Sequence, residues 1–231
     1  MTDMKILAID TALQATSACV FEAGADAPEA METIAMARGH AEALVPLIER
    51  VMARVEGGFP SLSRVAVTVG PGSFTGLRIG IAAARAIGIA RNVPVVGVVT
   101  LAALAAPLIL QQRPGLVVAA IDAHHGNIYI AAFDQDGRAV LSPCLMTIHD
   151  AIEALEPLPI RLIGSGAPML AVEASASGRP VELVGDGTAP DIAFVARLGL
   201  LADPLVPARP LYLKAPDAKP QSGNPIVLAS T

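Results

Sequence analysis

The chain has 231 residues, 53% of them hydrophobic, and a mean hydropathy of +0.58. That is enough apolar material for one large domain or two small lobes, and it excludes disorder as the main state. A formal net charge of -5 and a pI near 5.3 exclude a protein that grips a phosphate backbone by itself, since such binding rests on clustered Lys and Arg. Aromatic residues are only 3% and Trp is absent, so the core must be built from Ala, Val, Ile and Leu. That is the composition of buried parallel strands covered by helices, and it predicts an α/β fold.

In chain order, Lys5 to Asp10, Thr16 to Phe21 and Glu32 to Ala37 read as a strand meander, followed by a helix over His40 to Val55. Asp10-Thr11 and the stretch Gly24 to Pro28 supply the turns. Leu44, Leu47, Ile48 and Val51 recur at helical spacing, and Pro46 is tolerated if the helix starts near Ala43. A short buried strand, Arg64 to Gly70, then leads through a Gly/Pro turn at Gly70 to Gly72 into a helix over Phe74 to Arg91. Gly76, Gly80, Ala84 and Gly88 are spaced by four on that helix and form a stripe with almost no side chain. Each glycine costs roughly 1 kcal/mol relative to Ala, so something must approach the stripe closely. The chain's own sheet and a helix of another chain both meet that requirement.

Asn92 to Gln112 carries no charge and is long enough on paper to span a membrane. Pro94, Gly97, Thr100 and Pro107 divide it instead into a strand, Val93 to Val99, and an Ala/Leu-rich helix capped by Thr100. A second lobe opens near Leu116 with strands over Leu116 to Asp122 and Asn127 to Phe133 and a turn at Asp134 to Gly137. A helix over Ile148 to Leu155, a strand over Arg161 to Gly164, a helix over Ala167 to Ala174, a strand over Pro180 to Val184 and a helix over Asp191 to Leu201 follow. Six prolines between Pro204 and Pro225 predict an extended tail. The expected organisation is a lobe over residues 1–112, a second over 113–203 and a tail over 204–231 that partly packs back. Both lobes open with strands before helices, which hints at a duplicated architecture.

Cys19 and Cys144 form neither a metal spacing nor a disulfide framework, and Lys5 and Asp10 interrupt any signal-like apolar run, so a reducing, cytoplasmic setting is expected. Ile6-Leu7-Ala8-Ile9-Asp10-Thr11 is an apolar strand that ends in a carboxylate, a geometry able to face a phosphate and its magnesium, although such an Asp also serves as a turn-former. Gly70-Pro-Gly-Ser-Phe-Thr-Gly-Leu-Arg-Ile-Gly80 joins a strand to a helix start, where anions bind well. It is no Walker A loop, because Leu77 follows Gly76, and its glycine spacing misses the dinucleotide fingerprint. Asp122, His124 and His125 invite a metal or acid/base reading, but no further ligand is evident and a polar strand-end turn accounts for them. No G-x-S-x-G elbow supports serine hydrolysis.

The ILAIDT opening, the GPGSFTGLRIG segment and Asp122-Ala123 with Gly126 and Tyr129 together resemble the TsaB/YeaZ family. His40-Ala-Glu with Leu44 and Pro46 resembles that family's His-Ser-Glu helix, and Pro210-Leu-Tyr-Leu-Lys214 its Pro-x-Tyr-Leu-Arg ending. His124, His125 and Asn127 depart from its Asp-Ala-Arg-Arg-Gly-Glu-Val-Tyr type of run. The resemblance implies a two-lobed actin-like ATPase (ribonuclease H-like) fold, with mixed sheets flanked by helices. It implies a non-catalytic subunit of the machinery that puts threonylcarbamoyl on adenosine of tRNA, supporting the catalytic relative TsaD together with the ATPase TsaE. The H-x-x-x-H metal site of TsaD corresponds here to Thr100 and Leu104, which cannot replace two imidazoles.

What the resemblance implies for the site is a homodimer in isolation and a partner interface on the first lobe. The residues expected there are His40, Leu44, Leu47, Ser73, Phe74, Thr75, Gly76, Arg78, Ile79, Gly80 and Ala84. Asp10 and Thr11 are the candidates for contact with ATP or ADP and magnesium, with no cofactor tightly bound and tRNA met only through the complex. A free-standing ATP-dependent phosphotransferase or ATPase of the same fold is the alternative.

Overall fold

Alternation of apolar residues with short Gly- and Asp-containing turns builds the first half as one sheet and repeats the plan in the second. The computed structural model describes residues 4–185 and 187–214. Its first sheet holds β1 (Lys5–Asp10), β2 (Ala15–Glu22), β3 (Ala30–Ala35), β4 (Leu62–Gly70) and β5 (Val95–Val99), in the order β3-β2-β1-β4-β5. The second holds β6 (Leu116–Asp122), β7 (Asn127–Phe133), β8 (Ala139–Thr147), β9 (Ile160–Ile163) and β10 (Val181–Leu183), in the order β10-β9-β6-β7-β8. In each, three strands form an antiparallel meander, and two more run parallel to the first strand of that meander or to each other. The two sheets therefore share one topology.

Among the described residues six α-helices cover these sheets: α1 (His40–Met52), α2 (Phe74–Arg91), α3 (Thr100–Ile109), α4 (Ile148–Ala154), α5 (Ala167–Ala176) and α6 (Ile192–Leu201). Leu44, Leu47 and Val51 of α1 and Ile81 of α2 pack with Leu7, Ile9 and Val67 on the outer face of the first sheet. Ala151, Ile152, Leu170 and Ala174 of α4 and α5 pack in the same way on the second. The remaining helix of each half crosses over. Leu101, Leu104 and Leu108 of α3 meet Val117, Ala119 and Ala131 of the second sheet. Ile192, Val195 and Ala196 of α6 meet Ile6, Ala8, Phe21 and Ala66 of the first. The final helix, placed with residues 113–203 on sequence order, thus completes the first lobe: of α3 only the small Ala103 joins that inner-face cluster, while its leucines meet the second sheet.

Three local readings change. Helix α1 begins at His40, so Pro46 lies in its second turn rather than near its start. Pro46 and Glu42 lie on the exposed side of the helix, where a missing N–H costs less than it would against the sheet. Thr100 is not the cap of α3: Val99 holds that place without a side-chain bond, and Thr100 is the first helical residue, its hydroxyl buried without a partner. Strand β8 escapes the sequence pattern because Pro143 interrupts it and its exposure does not alternate, both features of an edge strand. The uncharged stretch is β5 followed by α3, and among the described residues no helix is long and apolar enough to cross a membrane.

Candidate functional site: the interlobe cleft and the outer face of helix α2

Strands β1 and β6 open the two sheets, and both end in an aspartate that folds back on the backbone two residues on. Asp10 Oδ1 accepts from the Ala12 N–H at 3.1 Å, and Asp122 Oδ1 from the His124 N–H at 2.7 Å. The turn-forming role is therefore met at both positions. Their surroundings differ. Asp10 is fully buried, accepts the Thr68 hydroxyl at 2.6 Å, and leaves its second oxygen without a partner. Burial pushes its carboxyl up to about 6, against the hydrogen bonds from Thr68, Ala12 and Thr11, which favour the charged form. Thr11 spends its hydroxyl on the Gly76 carbonyl at 2.7 Å and is buried as well.

The reason for the small-residue stripe is at the same place. A Cβ at Gly72 would overlap the Ala12 carbonyl oxygen, one at Gly76 the Thr11 carbonyl oxygen, and one at Gly80 the Thr11 hydroxyl. Ser73 caps the helix by accepting from the Gly76 N–H at 3.2 Å, and its own N–H donates to Ala12 at 2.7 Å. The stripe admits the end of the chain's own β1, with Ala84 buried in the same core.

Between the lobes lies a cleft of about 560 Å³, lined among others by Gln14, His40, Ser73, Asp122, His124, Ser165 and Lys214. Asp10 and Thr11 sit behind its wall rather than in it. His40 is no surface residue: its Nδ1 lies 2.7 Å from the Thr16 hydroxyl, and burial lowers its pKa. His124, His125 and Gly126 all take positive φ, at 63°, 55° and 75°, so the turn between β6 and β7 carries strained backbone at two positions with a Cβ. His124 Nδ1 stands 3.4 Å from Asp122 Oδ2, and Ser165 accepts from the Asp122 N–H. Among the described residues, no group of three or more His, Cys, Asp or Glu side chains is gathered as metal ligands.

The partner-facing set divides on burial. His40, Leu44, Leu47, Gly76, Gly80 and Ala84 are interior, where they hold α1 and α2 on the sheet, and so present no surface to another chain. Ser73, Phe74, Thr75 and Arg78 are exposed and Ile79 is half-buried, which leaves the first turns of α2 as the accessible part. Sequence reasoning left Tyr212 out. Leu211 N donates to Val69 O at 2.7 Å, which brings the Tyr212 ring to 5.3 Å from that of Phe74. The aromatic residue in the PLYLK ending was the signal for it.

Two repeated halves, with exchanged helices and a cleft between them, give the two-lobed actin-like fold, with mixed sheets flanked by helices. A family model described as "TsaD: tRNA N6-adenosine threonylcarbamoyltransferase" matches residues 33–195. An uncharacterized protein of Mycobacterium bovis is 32% identical over 215 residues, 93% of this chain and 94% of its own. The tRNA threonylcarbamoyladenosine biosynthesis protein TsaB of Escherichia coli is 31% identical over 137 residues, 59% of this chain and 58% of its own. YeaZ from Pseudomonas aeruginosa superposes with a TM-score of 0.74 at 23% identity, covering 91% of this chain and 100% of that one. The chain belongs to the family that the TsaD model describes, and within it is similar to TsaB and YeaZ.

Proposed function

We propose that this protein is a non-catalytic partner subunit in the biosynthesis of threonylcarbamoyladenosine in tRNA, supporting a TsaD-type catalytic subunit in the cytoplasm. The observation that carries the reading is α3. By the sequence resemblance Thr100 and Leu104 correspond to the H-x-x-x-H ligands of the catalytic relative, and both side chains are buried at the start of α3. A hydroxyl and an isobutyl group offer no pair of imidazoles to a metal. The exposed first turns of α2 supply a surface for the partner, and in isolation the same lobe joins two copies. A TsaE-type ATPase completes the assembly, and tRNA is met through it, consistent with the chain's acidic balance.

Sedimentation of the chain alone and mixed with the TsaD-type protein of the same organism tests this directly. A self-associated species that converts to a mixed complex is the expected result, with threonylcarbamoyl transfer to tRNA requiring both proteins. Transfer by this chain alone overturns the reading.

The free-standing nucleotide enzyme keeps one supporting observation, the unpartnered oxygen of Asp10 beside the cleft. Yet Asp10 and Thr11 are sealed and committed to Thr68, Ala12 and Gly76, so they do not fit as they stand the task of holding magnesium and phosphate. A nucleotide entering the cleft would meet Gln14, Ser73 and Lys214 instead. Calorimetric titration with ATP or ADP and magnesium decides this: submicromolar affinity of the isolated chain favours the enzyme.

A further inference from the structure

The chain has seven aromatic side chains, five Phe and two Tyr. Only Phe74 and Tyr212, 46% and 47% exposed, stand clear of the interior, and they stand against each other. The Arg78 guanidinium lies over the Phe74 ring, 3.8 Å from its centroid, and its Nε donates to the Tyr212 hydroxyl at 3.4 Å. The segment that carries Tyr212 is fastened from two sides, by Leu211 N on Val69 O at 2.7 Å and by Arg85 Nη2 on Ala208 O at 2.6 Å. The cluster is thus assembled before any partner arrives.

Its charge is as distinctive as its stacking. The chain carries a net charge of -5, yet α2 has Arg78, Arg85 and Arg91 and no acidic residue. Among the described residues Arg78 forms no ion pair with a carboxylate. Stacking on Phe74 occupies one face of the guanidinium and leaves its Nη edge for a bidentate acceptor. Aromatic and Arg side chains that are already ordered lose little entropy on binding and dominate interface energetics.

We propose that Phe74, Arg78 and Tyr212 form a composite anchor for the heterologous partner, one that sets a carboxylate on Arg78 and an apolar side chain on the two rings. This rests on the partner-subunit reading above and adds the tail to the docking surface. A two-fold contact bringing the cluster onto itself would oppose two guanidiniums, so a second copy is the poorer occupant.

The test measures dissociation constants of the mixed complex with the TsaD-type protein, and of self-association, for the wild-type chain, Tyr212→Ala, Tyr212→Phe and Arg78→Gln. Tyr212→Ala and Arg78→Gln should each weaken the mixed complex by about tenfold or more, a hot-spot effect. Self-association and the urea midpoint should stay where they are. Tyr212→Phe keeps the ring and should stay within a few-fold of wild type, and Arg78→Gln should flatten the salt dependence of the mixed complex. A wild-type chain that forms no mixed complex overturns the partner reading and the anchor with it. A mixed complex that Tyr212→Ala leaves intact overturns the anchor alone. Equal weakening of both associations gives the patch to a second copy and also overturns the proposal.

Discussion

Arg64 on β4 and Arg161 on β9 are buried arginines that close the C-terminal ends of the two exchanged helices. Arg64 Nη1 donates to the carbonyls of Gly199, Leu200 and Ala202, at 2.8, 3.0 and 2.9 Å, at the end of α6. Arg161 donates to Leu108 O at 3.0 Å, Gln111 Oε1 at 3.2 Å and Arg113 O at 3.3 Å, at and beyond the end of α3. Each strand belongs to the sheet its helix covers, so each cation holds a helix that arrived from the other half. The last carbonyls of a helix lack intrahelical partners and carry partial negative charge, which a guanidinium satisfies several at a time.

Removing either arginine should therefore loosen the joint between the halves. Arg64→Ala and Arg161→Ala are each expected to cost about 3 kcal/mol, because buried carbonyls lose charge-assisted bonds and regain no water. Lysine should rescue little at Arg161, whose Nη1 and Nη2 reach acceptors on both sides of a planar fork, and more at Arg64, where a single nitrogen meets all three carbonyls. Urea unfolding followed by circular dichroism checks this; losses near those of exposed arginines such as Arg138 would show that the caps are incidental.

The stripe on α2 makes a second prediction, and it concerns folding rather than association. Gly76→Ala sets a Cβ against the Thr11 carbonyl, which is backbone and cannot turn away. Its cost is expected to be about 1–3 kcal/mol. Gly80→Leu or Ala84→Leu should prevent α2 from seating on the sheet, giving insoluble or molten protein. Recovery of a folded monomer that has merely lost a partner would contradict the packing described here.

The fold was legible where local chemistry and tertiary packing agree. The bounds of α2, Phe74–Arg91, follow from the Ser73 cap at one end and the left-handed Asn92 at the other, both readable in the sequence. The exchange of α3 and α6 was not legible, because an apolar helix face does not say which of two apolar sheets it meets. The interface was only half legible for a related reason. Leu44 and Leu47 recur at helical spacing whether the face they form meets the chain's own sheet or another molecule, and here they meet the sheet. Tyr212 was missed because its place depends on a contact between β4 and a segment more than a hundred residues later in the chain.

Asp10 carries the last prediction, a pH dependence. Its folded pKa is about 6 against an ordinary value of 3.8, with burial as the leading cause. The native state therefore binds more protons than the unfolded chain between those values. The stability that the protonated form contributes is complete below 3.8 and is lost as pH rises through about 6. A difference of about 2 units is worth about 3 kcal/mol at order of magnitude. Asp10→Asn keeps the acceptor for Thr68 and Ala12 and cannot ionise. Its buried N–H₂ takes the place of the unpartnered oxygen and adds a cost that does not vary with pH. Relative to wild type, the variant should gain about 2–3 kcal/mol between about pH 4 and pH 7. Urea titrations at several pH values read the difference directly: parallel curves for the two proteins would mean that Asp10 is charged in the folded state throughout, with its second oxygen solvated rather than sealed behind the cleft wall.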